Sequence, residues 1–431
     1  MTAGLDAMLA ALEQLLPDRV SRRPADLAAA AHDASSLPAA RPDAVVWPLS
    51  TDDVVAVVRL ASERAIPLTA RGAGSSLEGN PIPVRGGIVL DCSRMTRVIA
   101  VRPEDLQVDV EPGVVYAALN RELRPHGLFF PPSPGGSADV ATIGGMVANN
   151  ASGIYSVKYG GTRDHVRAAT VVTGTGELLR LGNRCRKSAS GYHLLGLLVG
   201  SEGTLAIATE LTLALAGRPA ARRQGGFRFA DATAAARATA ELIRFGIDVA
   251  AVEFLDDRTI AALNRFGAFD LVEAPALLLE VHGSEAGVAE AWQAAEDVVR
   301  GTGGVPLVLP EGRDAWRSGS TRRVRSRRSA PRRRRCAPIS RSRSARCRPW
   351  LLVRRRSPAS GPLRSTSSVT PASASCTLSC SPTMRSGRPP RRRGTRSSTP
   401  PSRSAARVRV STAWGSATGA TRRASTAVPS A

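Results

Sequence analysis

Short apolar runs separated by polar turns dominate the first half of the chain, and they predict strands more often than helices. Buried strands are predicted at 44–48, 66–70, 87–91 and 128–130, hairpins at 98–110 and 168–181, and a further strand from residue 205. Amphipathic spacing predicts a helix at the N-terminus, one beginning after Ser50, and one over 113–124. The Gly-rich stretch 131–161 has few cues for either structure.

From Gly226 the pattern changes to a clean alternation of apolar strands and amphipathic helices, β-α-β-α-β-α, which runs to about residue 304. This alternation indicates the start of a separate domain, which the sequence leaves incomplete at Trp316. Strands with interspersed helices, without one regular βαβ repeat, favour the α+β class.

The distribution of charge also divides the chain after Trp316. The 431 residues have a net charge of +23, but Arg317–Ala431 contains 29 Arg and no Lys, Asp, Glu or His. The first 316 residues therefore hold 30 basic and 36 acidic residues, a net charge of −6. The basic balance that would suggest a nucleic-acid binder belongs only to the segment 317–431, which is rich in Arg and Ser and is expected to be disordered.

Cysteine usage and processing signals indicate the compartment. Only Cys92 and Cys185 lie in the first 316 residues, so neither a disulfide framework nor a zinc spacing is predicted. No apolar run is long enough for a transmembrane helix, and the N-terminus lacks the basic region of a signal peptide. We expect a cytoplasmic protein, with peripheral association with a membrane left open.

Three Gly-rich segments are candidate ligand loops: 71–79, 134–153 and 200–204. Glycine lets backbone N–H groups approach a ligand closely and permits the turns that form anion-binding nests. The sequence has no Gly-Lys-Ser/Thr phosphate loop, and Arg71-Gly72-Ala73-Gly74 opens no evident helix. Taken singly, each segment is equally compatible with a tight turn.

Taken together, seven motifs in order resemble the FAD-binding domain of the vanillyl-alcohol oxidase/p-cresol methylhydroxylase (PCMH) family. The motifs are Trp47–Thr51, Arg71–Gly79, Val110–Val114, Pro134–Gly136 with Thr142–Gly145, Asn149–Gly153, Lys158–Gly160 and Val199–Leu205. Leu77-Glu78-Gly79 and Arg186–Tyr192 are most similar to the branch of D-lactate dehydrogenase (cytochrome) and the glycolate oxidase flavoprotein subunit.

The resemblance implies a set of FAD-binding residues. They are Pro48, Arg71, Gly72, Ala73, Gly74, Ser75, Ser76, Pro134, Gly135, Thr142, Ile143, Gly144, Gly145, Asn149, Ser152, Gly153, Gly203 and Ile207. By resemblance, backbone N–H groups of Arg71–Ser76 and Thr142–Gly145 wrap the pyrophosphate, while 149–153 and Ile207 lie at the isoalloxazine ring. Since Ser75 and Ser76 stand where relatives with covalent flavin often have His, non-covalent FAD is expected.

The same resemblance implies oxidation of a small D-2-hydroxy acid, with hydride transfer to flavin N5 and electrons passed on to cytochrome c or a quinone. The family's substrate domain supplies a Gly-His-x-Gly-Asp-Gly-Asn-x-His motif and a later Glu-His-Gly, which suit a divalent metal. This chain contains neither motif, so the catalytic residues stay unassigned and the metal ligands are absent. The histidines, His32, His126, His165, His193 and His282, are interpreted as surface or core residues rather than catalysts.

A frameshift would explain the missing motifs. Read back through GC-rich codons one nucleotide upstream, Val369–Thr377 can encode Gly-His-Ala-Gly-Val-Gly-Lys-Leu-His, and Val410–Ala417 can encode Gly-Glu-His-Gly-Val-Gly-Leu-Gly. Both family motifs emerge in order and in one frame. We therefore expect activity to be impaired.

The predicted organisation has four parts: an N-terminal helical segment (1–41), a PCMH-type FAD-binding domain (42–218), the first part of a substrate domain (219–316) and the frameshifted tail (317–431). Two alternatives remain open. The tail could be a nucleic-acid arm on a flavoprotein body, although it lacks interleaved aromatics and no specific nucleic acid is expected. Alternatively, the same fold could run another reaction, such as that of alkyl-dihydroxyacetone-phosphate synthase.

Overall fold

The computed structural model describes residues 2–266 and 271–307, so the predicted tail lies outside the described residues. Within these ranges the chain forms two four-stranded sheets, one five-stranded sheet and one two-stranded ribbon. Helices pack on the larger sheets, and the mixture confirms the predicted α+β class.

The first sheet is mostly parallel. Its strands, with the helices between them, are α1 (Thr2–Leu15), β1 (Val20–Ser21), α2 (Pro24–Ala30), β2 (Ala44–Val46), α3 (Thr51–Glu63), β3 (Leu68–Arg71) and β4 (Ile88–Asp91). The order is β1-β2-β4-β3, with β2, β4 and β3 parallel. Helix α3 begins where predicted, because the Ser50 hydroxyl accepts from the Asp53 N–H and the Asp53 carboxylate accepts from the Ser50 N–H.

A fully antiparallel sheet follows. The elements of this part are β5 (Val98–Arg102), β6 (Gln107–Val110), α4 (Tyr116–Leu123), β7 (Leu128–Phe129), α5 (Ile143–Ala148), α6 (Ser156–Tyr159), α7 (Thr162–His165), β8 (Val166–Thr173), β9 (Leu178–Gly182), α8 (Leu194–Leu198), β10 (Ala206–Ala214) and β11 (Ala216–Gly217). The strand order is β5-β6-β10-β8-β9, and β11 pairs with β7 as a ribbon. Both predicted hairpins are confirmed.

The third sheet belongs to the second domain. Its elements are β12 (Ala221–Arg228), α9 (Ala232–Arg244), β13 (Val249–Leu255), α10 (Asp257–Phe266), β14 (Ala276–Gly283), α11 (Glu285–Gly301) and β15 (Val305–Leu307). The predicted alternation is confirmed, but β12 and β13, which are consecutive in the chain, are not neighbours in the sheet. The order is β13-β14-β12-β15 with every pair antiparallel, because β14 inserts between β12 and β13.

The structure adds two features to the sequence-based picture. Residues 131–161 contain α5 and α6, which the Gly-rich composition concealed. Residues 1–41 supply the edge strand β1 as well as two helices. Each sheet has its own apolar core, and the largest buries Phe130, Ile143 and Leu213 completely.

Candidate functional site

The first glycine loop, residues 71–79, follows β3 and contains a run of unpaired backbone donors. Within the described ranges, no N–H from Gly72 to Leu77 donates a hydrogen bond to another part of the chain. The next two N–H groups are paired: Glu78 donates to Ser76 Oγ at 3.1 Å and Gly79 to Asp33 Oδ2 at 2.8 Å. Consecutive free N–H groups in a turn can bind an anion. The loop also begins at the carboxyl end of β3, where the parallel strands β2, β4 and β3 end, which is a common position for a ligand.

The Arg71 side chain holds the base of this loop. Its guanidinium donates to the carbonyl oxygens of His32 at 2.9 Å and Ala29 at 3.2 Å, next to the C-terminus of α2. Burial lowers the pKa of Arg71, against the opposing charges of Asp91 and Asp33. A Cβ on Gly74 would lie 2.1 Å from Arg71 Nη2. Arg71 therefore shapes the loop, and its charge is already engaged by main-chain oxygens.

The Thr142–Gly145 turn contacts the first glycine loop, but its own N–H groups donate to acceptors within the protein. A Cβ on Gly72 would lie 2.3 Å from Thr142 Oγ1. The N–H groups that were predicted to wrap the pyrophosphate donate inside the protein: Ile143 to Val114 O at 2.8 Å, Gly144 to Pro112 O at 2.8 Å and Gly145 to Thr142 Oγ1 at 3.4 Å. In this structure the turn contributes shape and close approach rather than free donors.

A chain of amides ties the segment 149–153 to the first loop. Asn149 Nδ2 donates to Ser76 Oγ at 3.1 Å, and Asn80 Nδ2 donates to Asn149 Oδ1 at 3.0 Å. The remaining oxygen, Asn80 Oδ1, is buried and has no hydrogen-bond partner among the described residues. An unsatisfied buried carbonyl is costly and calls for a ligand donor. Asn80 was missed, although it directly follows the Leu77-Glu78-Gly79 motif.

The third glycine loop completes this edge. The Gly200 N–H donates to Val147 O at 3.0 Å and the Glu202 N–H to Ala148 O at 2.9 Å, so the loop sits on the end of α5. A Cβ on Gly203 would lie 3.5 Å from the Cβ of Ala70, at the end of β3. Ile207 follows on β10 and is half-buried against the core of the first sheet.

The other predicted residues lie around this centre. Pro48 is buried directly after β2, at the same sheet edge as the first loop. Pro134 and Gly135 form a short turn ahead of the site, while Ser152 is exposed. A Cβ on Gly153 would lie 1.9 Å from Ser133 O, so the backbone at Gly153 packs closely against the backbone just before Pro134.

A second polar cluster joins the FAD-binding region to the third sheet, and it was not predicted. Glu280 on β14 is fully buried; its Oε1 lies 2.6 Å from His282 Nε2 and accepts from the Tyr155 hydroxyl at 3.3 Å. Tyr159 OH lies 2.9 Å from His282 Nδ1, and burial, followed by Asp248 and Glu280, raises the pKa of Tyr159 to about 12. Glu280 and His282 are two residues apart on a strand, a period that places them on one face.

The described residues contain neither a cluster of metal ligands nor a membrane-spanning helix. No group of three or more His, Cys, Asp or Glu side chains is arranged to hold a metal ion in the described part of the chain. Nor does any helix there have the length and apolarity needed to cross a membrane.

Family models match both halves of the described structure. Residues 42–182 match the FAD binding domain, and residues 218–341 match the C-terminal domain of FAD linked oxidases, a match that runs past residue 316. Over the residues that these two models match, the chain belongs to the FAD-linked oxidase family, with a PCMH-type FAD-binding domain.

Within this family, the curated relatives to which the chain is similar include D-lactate dehydrogenases and glycolate oxidase subunits. The chain is 38% identical over 273 residues to a probable mitochondrial D-lactate dehydrogenase of Danio rerio, covering 63% of this chain and 54% of the relative. It is 38% identical over 270 residues to the mitochondrial D-lactate dehydrogenase [cytochrome] of Arabidopsis thaliana (63% and 47%) and 35% identical over 249 residues to glycolate oxidase subunit GlcD of Bacillus subtilis (58% and 53%). The chain thus spans about half the length of these relatives.

Solved structures agree on the fold. p-Cresol methylhydroxylase with substrate bound superposes with a TM-score of 0.63 at 18% identity, covering 72% of this chain and 66% of that one. Alkyldihydroxyacetonephosphate synthase superposes with a TM-score of 0.61 at 22% identity, covering 72% and 61%. These solved structures thus show the fold, and in sequence the chain is similar to D-lactate dehydrogenases and glycolate oxidase subunits.

Proposed function

We propose that the chain binds FAD non-covalently and is the flavoprotein body of a D-2-hydroxy acid dehydrogenase. The free N–H groups of Gly72–Leu77 support this most strongly, because a dinucleotide's diphosphate needs such donors. The first loop has serines and no His or Cys, so it offers no nucleophile of the kind that links flavin covalently.

The remaining residues of the site divide the work. The orphaned Asn80 Oδ1 accepts a donor of the bound cofactor, and Asn149 keeps that amide beside Ser76. Gly203 and Gly153 allow the close approach of backbone around the cofactor. When bound, FAD supplies the acceptor for a substrate hydride.

The substrate class rests on the relatives. D-lactate and glycolate are both small 2-hydroxy acids, and these substrates appear in the names of the relatives. We propose a cytochrome or a quinone as the electron acceptor, because two relatives are named for cytochrome. The cytoplasmic location inferred from the cysteines stays a prediction.

We further propose that turnover is impaired. The histidine-rich motifs expected of the substrate domain are absent from this sequence, and the described residues hold no metal-binding group. Without those motifs, we expect the substrate hydroxyl proton and carboxylate to lack the histidine and metal ligands that would stabilise their charges in the transition state. Other reactions of the fold are not favoured by any contact in the site.

The test is to mix the purified full chain with FAD, remove free flavin, and measure bound flavin by visible absorbance. We expect stoichiometric FAD that is released on unfolding by denaturant, and competition by ADP. Flavin that stays attached to the denatured chain would disprove the non-covalent proposal, and no retained flavin would disprove FAD binding. Rapid bleaching of the flavin by D-lactate would disprove the proposed impairment.

A further inference from the structure

A short segment of the FAD-binding region, residues 155–159, contacts the third sheet. Tyr155 and Tyr159 reach Glu280 and His282 of β14, at 3.3 and 2.9 Å. Between them, Lys158 forms an ion pair with Asp248 and donates to the carbonyl oxygen of His282 at 3.3 Å. The tyrosine and imidazole rings also pack on one another, with centroids 5.2 and 5.8 Å from that of His282.

Burial makes this arrangement specific. Glu280 is fully buried, and its second oxygen accepts from Gln224 Nε2 at 2.8 Å. With Glu280 as a carboxylate and His282 as a neutral imidazole, the pattern is Nε2–H donating to Glu280 and Nδ1 accepting from the Tyr159 hydroxyl. Removal of the Tyr159 hydroxyl takes away the hydrogen bond to His282 Nδ1, a nitrogen of a buried ring.

The same segment is continuous with the part of the site expected to face the flavin ring. The Gly153 N–H donates to Ser156 Oγ at 3.0 Å, at the start of α6. At the other end, Asn149 is bonded to Ser76 in the first loop. Residues 149–153 are therefore linked to the first glycine loop on one side and, through residues 155–159, to β14 on the other.

We propose that Tyr155, Tyr159, Glu280 and His282 form a positioning site through which the substrate domain sets the flavin-facing segment 149–153. This inference rests on the proposed FAD function for its consequence, but its geometry does not depend on a bound cofactor. The four residues act on the segment and not on the substrate. Their loss alters the environment of the flavin ring while the phosphate loop stays intact.

Hydrogen exchange of the full-length chain without FAD tests the structural half. Tyr159→Phe and Glu280→Gln should speed exchange of the amides in 149–159 about tenfold or more, the effect of one lost buried hydrogen bond. The matched control is Tyr192→Phe, because Tyr192 is 94% exposed. Unchanged exchange in 149–159 in the two junction variants would overturn the proposal. If Glu280→Gln fails to fold, Tyr155→Phe and Tyr159→Phe decide the question.

The flavin-loaded chain tests the consequence. The visible circular dichroism of bound FAD should change in Tyr159→Phe and Glu280→Gln, while competition by ADP stays within about twofold of the unmodified chain. A flavin signature identical to that of Tyr192→Phe would overturn the positioning role. If the unmodified chain retains no FAD, the proposed function fails, and the exchange measurement then decides the junction on its own.

Discussion

Gly72 and Thr142 approach each other so closely that residue 72 has no room for a side chain. A Cβ there would lie 2.3 Å from Thr142 Oγ1, and Thr142 is itself buried as the N-cap of α5. Seventy positions apart in sequence, the two residues join the first glycine loop to the second glycine segment. The requirement for glycine at 72 is therefore one of contact and not of backbone conformation.

Gly72→Ala should destabilise the chain by about 1–3 kcal/mol, because the added methyl group overpacks against Thr142. It should also weaken FAD binding, since the loop must shift. Denaturant unfolding and flavin retention measure the two effects. Gly174→Ala is the control: its Cβ would meet nothing within 4 Å, so stability should be unchanged or slightly higher. Equal stability of the two variants would contradict this account.

Asp109→Asn should make the free energy of unfolding depend less on pH in the acid range. Burial opposes ionisation of Asp109, but hydrogen bonds from Arg184, Thr212 and Arg102 outweigh it and lower the pKa of Asp109. A folded pKa below the unfolded value of about 3.9 contributes stability above that pH, which is lost as the pH falls through the folded pKa. Unfolding free energies measured from neutral pH down to acid should therefore fall less steeply in Asp109→Asn than in the control Asp139→Asn, whose side chain is exposed.

Tyr159→Phe should make the free energy of unfolding fall less as the pH rises into the alkaline range. Burial raises the pKa of Tyr159 to about 12, above the unfolded value of about 10. Since the folded state keeps this proton longer, its contribution is complete below about pH 10 and is lost as the pH rises toward about 12. The unfolding free energy of Tyr159→Phe should fall less over that window than that of Tyr192→Phe. Identical slopes would show that Tyr159 is not protected from ionisation.

The tail should bind nucleic acid without sequence preference. Residues 317–431 contain 29 Arg and no acidic residue, so binding to RNA should weaken steeply as salt is raised. Filter binding of two unrelated RNA sequences at several salt concentrations measures this. A chain ending at residue 316 should lose the binding; a clear preference for one RNA would instead support a selected nucleic-acid function.

The coding DNA should contain the missing substrate-domain motifs. We expect the frame one nucleotide upstream of that encoding Val369–Thr377 and Val410–Ala417 to read as the two histidine motifs. Restoring that frame from about codon 316 should yield a chain that oxidises D-lactate. If the upstream frame encodes neither motif, the frameshift interpretation is wrong.

Much of the fold was predictable, because its signals are local. The Ser50–Asp53 capping box, both hairpins and the alternation after Gly226 depend on neighbouring residues, and all appear in the structure. Helices α5 and α6 were missed, because α5 contains two glycines and α6 has only four residues, too few to show an amphipathic period. The insertion of β14 between β12 and β13 was also beyond sequence reasoning, since strand order depends on long-range pairing.

The sequence by itself determined the three glycine-rich segments that are candidate ligand loops, whereas their contact with one another was decided by the tertiary structure. The sequence also places the whole excess of positive charge in residues 317–431. Only the tertiary structure decided which donors remain free: those of Gly72–Leu77 are unpaired within the described chain, whereas Gly144 donates to the distant Pro112. The tertiary structure also shows that His282, which the sequence did not single out, is buried beside Glu280 at the junction with the third sheet. The reason is physical, since hydrogen-bond partners and burial come from segments far apart in the chain, which local pattern does not specify.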